Sequence, residues 1–162
     1  MGSRHSCHAL VPARDFSTGK SRLAGALNDE TRHELGKWML ERVLDAVVTA
    51  SGIDAVTVLS DGNSALALAE SKGAMGQKCP ANDLNADLEA GRKWALKNNA
   101  EMILIIPADL PALAPTDIDA MLDLAAKNTH PGGYAVITPS PDGGTNGLLL
   151  RPPGEMPFAF GP

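Results

Sequence analysis

Short apolar runs alternate along the chain with longer stretches in which apolar residues recur at helical spacing. The short runs, bounded by polar turns, are typical of strands, and the longer stretches predict helices. The predicted strands are His8–Pro12, Ile53–Ser60, Met102–Ile106, Tyr134–Thr138 and Gly147–Leu150. The predicted helices are Asp29–Ala50, Ser64–Ser71, Asp83–Asn98 and Pro115–Lys127. Strands that alternate with helices indicate parallel β-α-β units, so we predict one three-layer α/β domain with a mostly parallel central sheet.

Two of the predicted helices carry specific expectations. The longest begins at a capping residue, either Asn28 or Asp29, because both side chains can accept a hydrogen bond from a free backbone N–H. The candidate buried positions of the helix Asp83–Asn98 are Leu84, Leu88 and Trp94.

Composition narrows the class of protein. The chain has 162 residues, of which 44% are hydrophobic and 20% charged, as in an ordinary soluble domain. The formal net charge is -5, which argues against a general nucleic-acid binder, since such proteins usually carry a basic face. A small anionic substrate remains compatible with this charge, because a few well-placed Lys and Arg side chains suffice.

The cysteines and the hydropathy pattern bear on location. Cys7 and Cys79 are the only cysteines, too few for a disulfide scaffold or a zinc site, so we expect reduced thiols. No apolar run reaches membrane-spanning length, and the first residues lack the apolar core of a signal peptide. We therefore expect a cytoplasmic protein with no membrane partner.

An acid between two prolines follows the most apolar strand. Asp109 lies in the stretch Pro107-Ala-Asp-Leu-Pro111, directly after Met102–Ile106. Open α/β sheets bind their ligands at the carboxyl ends of the strands, so Asp109 is a candidate metal ligand on a stiffened turn. The alternative is a turn residue that caps the helix starting near Pro115.

The loop after the first strand is a candidate phosphate site. It contains Arg14, Lys20 and Arg22, with Gly19 between them. Cationic side chains and free backbone N–H groups after a strand suit phosphate oxygens. The loop lacks the Gly-x4-Gly-Lys-Ser/Thr frame of a Walker A motif, and an exposed polar loop with chance positive charge is the alternative.

Two further segments combine turn residues with polar side chains. The stretch Asp142-Gly-Gly-Thr-Asn-Gly147 reads as a hairpin turn, and its glycines would also let backbone approach a ligand closely. Thr145 and Asn146 add a hydroxyl and an amide to that turn. Asn85 lies at the start of a predicted helix, where an amide can cap the helix or read a base edge.

Taken in order, these motifs resemble those of a known enzyme family. The stretches are LVPARDFSTGKSRL, LNADLEAG, PADLP, DGGTNGLLL and FAFGP, and they are similar to the 2-phospho-L-lactate guanylyltransferase family, a relative of the MobA-like nucleotidyltransferases. The resemblance implies a Rossmann-like nucleotidyltransferase fold. It also implies a reaction of GTP with 2-phospho-L-lactate, phosphoenolpyruvate or 3-phospho-D-glycerate that releases pyrophosphate during biosynthesis of coenzyme F(420).

The resemblance assigns the nucleotide-binding residues. Arg14, Lys20 and Arg22 would bind the triphosphate of GTP, and Lys20 and Arg22 would also act in catalysis by stabilising the leaving pyrophosphate. Asn85 and Pro80 would contact the guanine or ribose.

The resemblance also assigns the metal and acceptor residues. Asp109 would be a catalytic Mg2+ ligand, with Mg2+ the implied cofactor. Thr145 and Asn146 would bind the acceptor, and Gly161 would start the Phe-Gly-x-x-Ser-Phe segment that also holds it.

The chain departs from the family pattern at its end. It stops at Pro162, before the serine of that segment and before a later acidic segment that supplies a second metal carboxylate. We thus expect a single nucleotidyltransferase domain over 1–162 that lacks its C-terminal segment. Another MobA-like or sugar-phosphate nucleotidyltransferase and a catalytically incomplete nucleotide-binding module are the alternatives, and a homodimer is an open alternative to a monomer.

Overall fold

The computed structural model describes residues 5–16, 23–79, 83–128 and 130–161. These residues form six strands, β1 (Cys7–Pro12), β2 (Ala55–Ser60), β3 (Met75–Lys78), β4 (Met102–Ile105), β5 (Tyr134–Pro139) and β6 (Thr145–Arg151). The helices are α1 (Asp29–Thr49), α2 (Asn63–Ser71), α3 (Leu84–Lys97) and α4 (Pro115–Ala126). No helix among them is both long and apolar enough to cross a bilayer.

The strands form one sheet in the order β3-β2-β1-β4-β6-β5. The first four strands of that order are parallel, whereas β6 is antiparallel to both of its neighbours, β4 and β5. The predicted α/β class with a mostly parallel sheet is therefore confirmed. The chain builds outward from β1 to β3 and then returns to place β4 on the other side of β1, so the sheet has a topological switch point between β1 and β4.

Helices cover the two faces of the sheet unequally. One face, here called the three-helix face, packs against α1, α2 and α4 through an apolar cluster that includes Val11, Leu44 and Leu104. The opposite face, here called the α3 face, is covered by one helix and by the segment that follows β6. Its apolar cluster includes Leu10 and Ile103. Alternate residues of each central strand thus serve different cores, as the two-residue period of a strand requires.

Most predicted elements are confirmed, and one strand was missed. The predicted helices and strands match observed elements to within a few residues at each end. The start of α1 is also settled, because the Asn28 side chain accepts from the N–H of Thr31 at 2.8 Å. β3 was not predicted, since it is a short edge strand with no apolar run. The prediction that Leu84 is buried was wrong, as 37% of this residue is exposed in the first turn of α3.

Candidate active site

Polar residues from distant parts of the sequence gather at the carboxyl edge of the parallel strands. Arg14 follows β1, Asp61 follows β2 and Asp109 follows β4. Because β6 runs in the opposite direction to β4, its first residues, Thr145 and Asn146, start at the same edge. The topology thus brings together the first-strand loop, the acid between prolines and the hairpin, which are the three features that the sequence singled out.

The loop that carries Asp109 is fixed on both sides. Ala108 and Leu110 pack against the core of the three-helix face, whereas Asp109 between them is exposed. The alternative interpretation, that Asp109 caps the next helix, is wrong: α4 has Ala114 as its N-cap residue, whose N–H donates to Asp117 at 2.8 Å. The loop therefore presents a carboxylate to the edge of the sheet from a backbone anchored in the core.

Thr145 and Asn146 lie beside that loop by strand register. Ile105 of β4 pairs with Leu148 of β6, so residues before Leu148 extend past the end of β4. Thr145 and Asn146 are half-buried rather than fully exposed to solvent. This places the hydroxyl- and amide-bearing residues level with the segment that leads to Asp109.

The hairpin before β6 is held by its own aspartate. The Asp142 carboxylate accepts from the N–H of Gly144 at 3.2 Å and from the Ser140 hydroxyl. Gly143 has φ 86°, a left-handed conformation that favours glycine. The predicted hairpin turn is confirmed, and this turn fixes the start of β6 at Thr145.

The loop after β1 is tied to the end of β2. Ala13 donates its N–H to the carbonyl of Leu59 at 2.9 Å, and Asp15 donates its N–H to Asp61 Oδ1 at 3.0 Å. Arg14 between them is exposed. Lys20, Arg22 and Pro80 lie outside the described residues, so their assigned roles stay predictions.

Asp61 is a residue of this edge that sequence reasoning missed. It directly follows the strand β2, which is the same signal that singled out Asp109 after β4. Besides binding the Asp15 N–H, its carbonyl accepts from Lys78 Nζ at 2.6 Å. Asp61 therefore links the first-strand loop to the edge strand β3.

Several carboxylates and one cation set the electrostatic environment at the first turn of α3. The pKa of Asp87 is raised, first by burial and then by the negative charges of Asp61 and Asp83, while the Arg14 guanidinium acts in the opposite direction. Burial and Asp87 together raise the pKa of the Cys79 thiol to about 11. Arg14 thus faces acidic neighbours, and Cys79 stays protonated at neutral pH.

The start of α3 separates two roles that the sequence left open. Asp83 is the cap, with its carboxylate accepting from the N–H of Asn85 at 2.9 Å. The Asn85 side chain instead contacts the end of the chain: its Nδ2 donates to the Phe160 carbonyl at 2.9 Å, and its Oδ1 accepts from the Phe160 N–H at 2.8 Å. The neighbouring Gly161 has φ 110° and is exposed. Asn85 therefore brings Gly161 to the start of α3.

The donor set at this edge fits a hard divalent cation that keeps other ligands. In the described part of the chain, no group of three or more His, Cys, Asp or Glu side chains could hold a metal by itself. Asp109 offers one exposed carboxylate. Mg2+ commonly binds through one or two carboxylates together with waters and substrate phosphates, so Asp109 suits a metal that arrives with a nucleotide.

Comparison with known proteins identifies the family of this chain. A family model described as guanylyl transferase, CofC like, matches residues 7–161. The chain belongs to this family. It is 42% identical over 97% of its length to a phosphoenolpyruvate guanylyltransferase from Rubrobacter xylanophilus, of which it covers 75%. It is 31% identical over 90% of its length to a 2-phospho-L-lactate guanylyltransferase from Methanobrevibacter ruminantium, of which it covers 64%.

A solved structure supports the fold of this CofC-like protein independently. A cytidylyltransferase from Leptospira borgpetersenii superposes with a TM-score of 0.64 at 20% identity, over 91% of this chain and 60% of that one. At that identity the match speaks for the fold alone. The Rossmann-like nucleotidyltransferase fold implied by the motifs is thereby confirmed.

Proposed function

We propose that this protein joins GTP to a phosphorylated three-carbon acid and releases pyrophosphate, a step of coenzyme F(420) biosynthesis. One observation carries the proposal: a member of a guanylyl transferase family gathers Arg14, Asp109 and Thr145 at one edge of its sheet. A cation for phosphate, a carboxylate for metal and a polar turn for the second substrate are the groups that this reaction needs.

The acceptor that we favour is phosphoenolpyruvate. The relative from Rubrobacter xylanophilus is a phosphoenolpyruvate guanylyltransferase at 42% identity, whereas the 2-phospho-L-lactate guanylyltransferase from Methanobrevibacter ruminantium is 31% identical. The three candidate acids share a carboxylate and a phosphate on three carbons. Thr145, Asn146 and Gly161 would bind these groups.

The chemistry is a displacement at phosphorus. An oxygen of the acceptor phosphate attacks the α-phosphorus of GTP in line, a new O–P bond forms, and the bond to the bridging oxygen of the leaving pyrophosphate breaks. The nucleophile is already an anion, so no general base is needed, and catalysis rests on positioning and charge neutralisation.

The protein groups have separate tasks in this reaction. Arg14, Lys20 and Arg22 would bind the triphosphate, and Lys20 and Arg22 would balance the charge of the leaving pyrophosphate. Pro80 and Asn85 would lie against the guanosine. Mg2+ held by Asp109 would lower the repulsion between the two anionic substrates.

A pyrophosphate-release assay tests the proposal. GTP, ATP and CTP are each combined with phosphoenolpyruvate, 2-phospho-L-lactate or 3-phospho-D-glycerate in the presence of Mg2+. We expect release with GTP and a phosphorylated three-carbon acid, and loss of release when the metal is chelated. Release that prefers CTP or ATP would contradict the proposal, as would GTP binding without turnover.

The decisive variant is Asp109→Asn, which removes the charge and keeps the shape. We expect turnover to fall by on the order of 10²-fold or more, the usual cost of losing one preorganised electrostatic group, with the fold retained. The matched control is Asp123→Asn, an exposed carboxylate near the end of α4, which should leave turnover intact. Near-normal turnover of Asp109→Asn would remove Asp109 from the metal site.

A further inference from the structure

The chain returns to the candidate site after β6 by a route without regular structure. Residues 152–161, here called the return segment, contain neither helix nor strand. The segment contacts Arg92 through Pro153 and Met156, and then contacts Asn85 through Phe160. Asn85 precedes Arg92 along α3, but the return segment contacts Arg92 first and Asn85 last. It therefore runs antiparallel to the helix, back toward the carboxyl edge of the sheet. It ends there with Gly161.

Arg92 is a buried cation whose contacts are directed at this segment. Only 5% of the residue is exposed. Its Nη1 donates to the carbonyl of Met156 at 2.5 Å and to that of Pro153 at 3.3 Å, and its Nη2 pairs with Glu89. Its guanidinium carbon also lies 4.1 Å from the centre of the Phe158 ring. A buried charge is costly unless paired; Glu89 of the same helix supplies the opposite charge, whereas the Nη1 hydrogen bonds and the Phe158 ring contact tie Arg92 to the return segment.

Asn85 makes a second connection two helical turns before Arg92. Its amide forms both hydrogen bonds with the backbone of Phe160, in the way that a neighbouring strand would. Residues seven apart lie on one face of a helix, so both side chains contact the return segment from the same side of α3. Phe158 and Phe160 of that segment pack against the α3-face cluster.

These contacts have a physical reason. Backbone N–H and C=O groups that leave water must find partners, and a segment without helix or strand has none of its own. Arg92 and Asn85 supply these partners at its middle and at its end. The place where Gly161 emerges is therefore set by α3.

We propose that Arg92 and Asn85 are positioning residues for the acceptor. They hold the return segment on α3 so that Gly161 reaches the carboxyl edge, and Arg92 acts only through the segment. The inference rests on the proposed function, in which Gly161 contacts the acceptor. It also gives Asn85 a role besides the predicted contact to guanosine.

Steady-state kinetics of the whole chain tests the role of Arg92. For Arg92→Met we expect the KM for the phosphorylated acid to rise about tenfold or more, since misplacement of a binding group weakens what it binds, while the KM for GTP changes little. Arg92→Lys keeps the charge but loses the fork and should lie between. The matched control is Lys93→Met, an exposed neighbour, with wild-type values. A fall in kcat with both KM values unchanged would indicate a merely structural role and overturn the inference.

Asn85→Asp provides a second variant that preserves the shape of a partly exposed side chain. It keeps the acceptor oxygen and loses the Nδ2 donor to Phe160. We expect the KM for the acid to rise, and the predicted guanosine contact of Asn85 allows the KM for GTP to rise as well. A rise in the KM for GTP alone would mean that Asn85 acts on the nucleotide and would refute its positioning role.

Amide hydrogen exchange separates this inference from the proposed function. The Phe160 N–H should exchange at least about tenfold faster in Arg92→Met and Asn85→Asp than in the wild type, because its local opening becomes easier. This readout needs no turnover. If the wild type shows no guanylyltransferase activity but the exchange differs, the proposed function fails and the hold of α3 on the segment stands. Equal exchange in variants and wild type would overturn the hold itself.

Discussion

The two faces of the sheet are covered by different kinds of structure and bury different kinds of side chain. On the three-helix face, the sheet packs against α1, α2 and α4 through an apolar cluster. On the α3 face, one helix and the return segment do the covering, and the buried side chains include His8 and Arg92. Helices satisfy their own backbone groups, so an apolar surface is enough to hold them. A segment without regular structure needs polar side chains as partners.

The two faces also contribute differently to the candidate site. Among the described residues, no assigned site residue belongs to the apolar core of the three-helix face, whereas Asn85 and the end of the return segment lie on the other side. The three-helix face contributes apolar packing, which includes Ala108 and Leu110 on either side of Asp109. The α3 face, with its buried polar groups, brings the return segment to the candidate site.

The largest test of this comparison uses neighbouring residues of β4. Leu104 faces the three helices and Ile103 faces α3, and both are fully buried. Replacing each by Ala should cost about 2–5 kcal/mol of unfolding free energy, measured by urea denaturation. Leu104→Ala should cost more, because packed helices collapse less readily onto a cavity than an irregular segment does.

Hydrogen exchange sharpens that result. Ile103→Ala should speed exchange of the Phe160 N–H at conditions far from unfolding, since Phe160 packs on the cluster that includes Ile103. Leu104→Ala should leave it unchanged relative to global opening. Equal costs together with equal exchange would show that the two faces do not differ.

A smaller effect is expected from His8 on the α3 face. Burial lowers the pKa of His8 below its ordinary 6.5, although the charge of Asp54 partly opposes this. At a pH between the lowered pKa of the folded state and the ordinary pKa of the unfolded state, His8 binds more protons in the unfolded chain. Stability is therefore lost as pH falls below about 6.5. Urea unfolding at pH 7.5 and 5.5 should show this loss in the wild type.

The variant His8→Phe isolates that contribution. Phe keeps an aromatic ring beside Trp94, whose ring centre lies 5.6 Å from that of His8, and it does not titrate. The acid-induced loss should be smaller in this variant, whereas His130→Gln, at an exposed position, should behave as the wild type. An unchanged loss in His8→Phe would mean that this face contains no titrating group of consequence.

The smallest effect concerns Asp87, beside the candidate nucleotide site. Its pKa is raised above the ordinary 3.8, so the ionised carboxylate destabilises the fold at neutral pH. Asp87→Asn should raise the Tm at pH 7 by about 1–3 °C. The gain should shrink as pH falls through the raised pKa and vanish below 3.8. Asp123→Asn on α4 is the control. An equal gain in Tm in that variant would show that the environment of Asp87 is not the cause of the stabilisation.

The fold was largely predictable because its strands and helices carry strong periodic signals. Met102–Ile105 is a continuous apolar run, and Asn28 precedes a clear helix. β3 was not predictable in this way, because an edge strand with exposed ends needs no apolar run. The exposure of Leu84 was also beyond the pattern, since the first turn of α3 lies outside the packed part of that helix.

The candidate site was predictable where an acid or a cation follows a strand. Asp109 and Arg14 were found by that rule, and the same rule would have found Asp61 after β2. Arg92 was not singled out from the sequence, although it follows Leu88 by four residues and precedes Ala95 by three, a helical spacing that would have indicated burial. What no local pattern could supply is its partner, because the return segment lies far along the chain and meets α3 only in the folded protein.

The reversed direction of β6 has a consequence for how this protein can change. A single uninterrupted stretch leaves the carboxyl edge at Thr145 and comes back to it at Gly161. The groups proposed to bind the acid therefore lie in one continuous stretch, residues 145–161, while the groups for GTP come from other loops. The side chains of Arg92 and Asn85 bind this stretch chiefly through its backbone atoms, which are present whatever its sequence. Grafting the stretch from a relative that uses a different acid should transfer acceptor preference in one step, with the GTP half untouched.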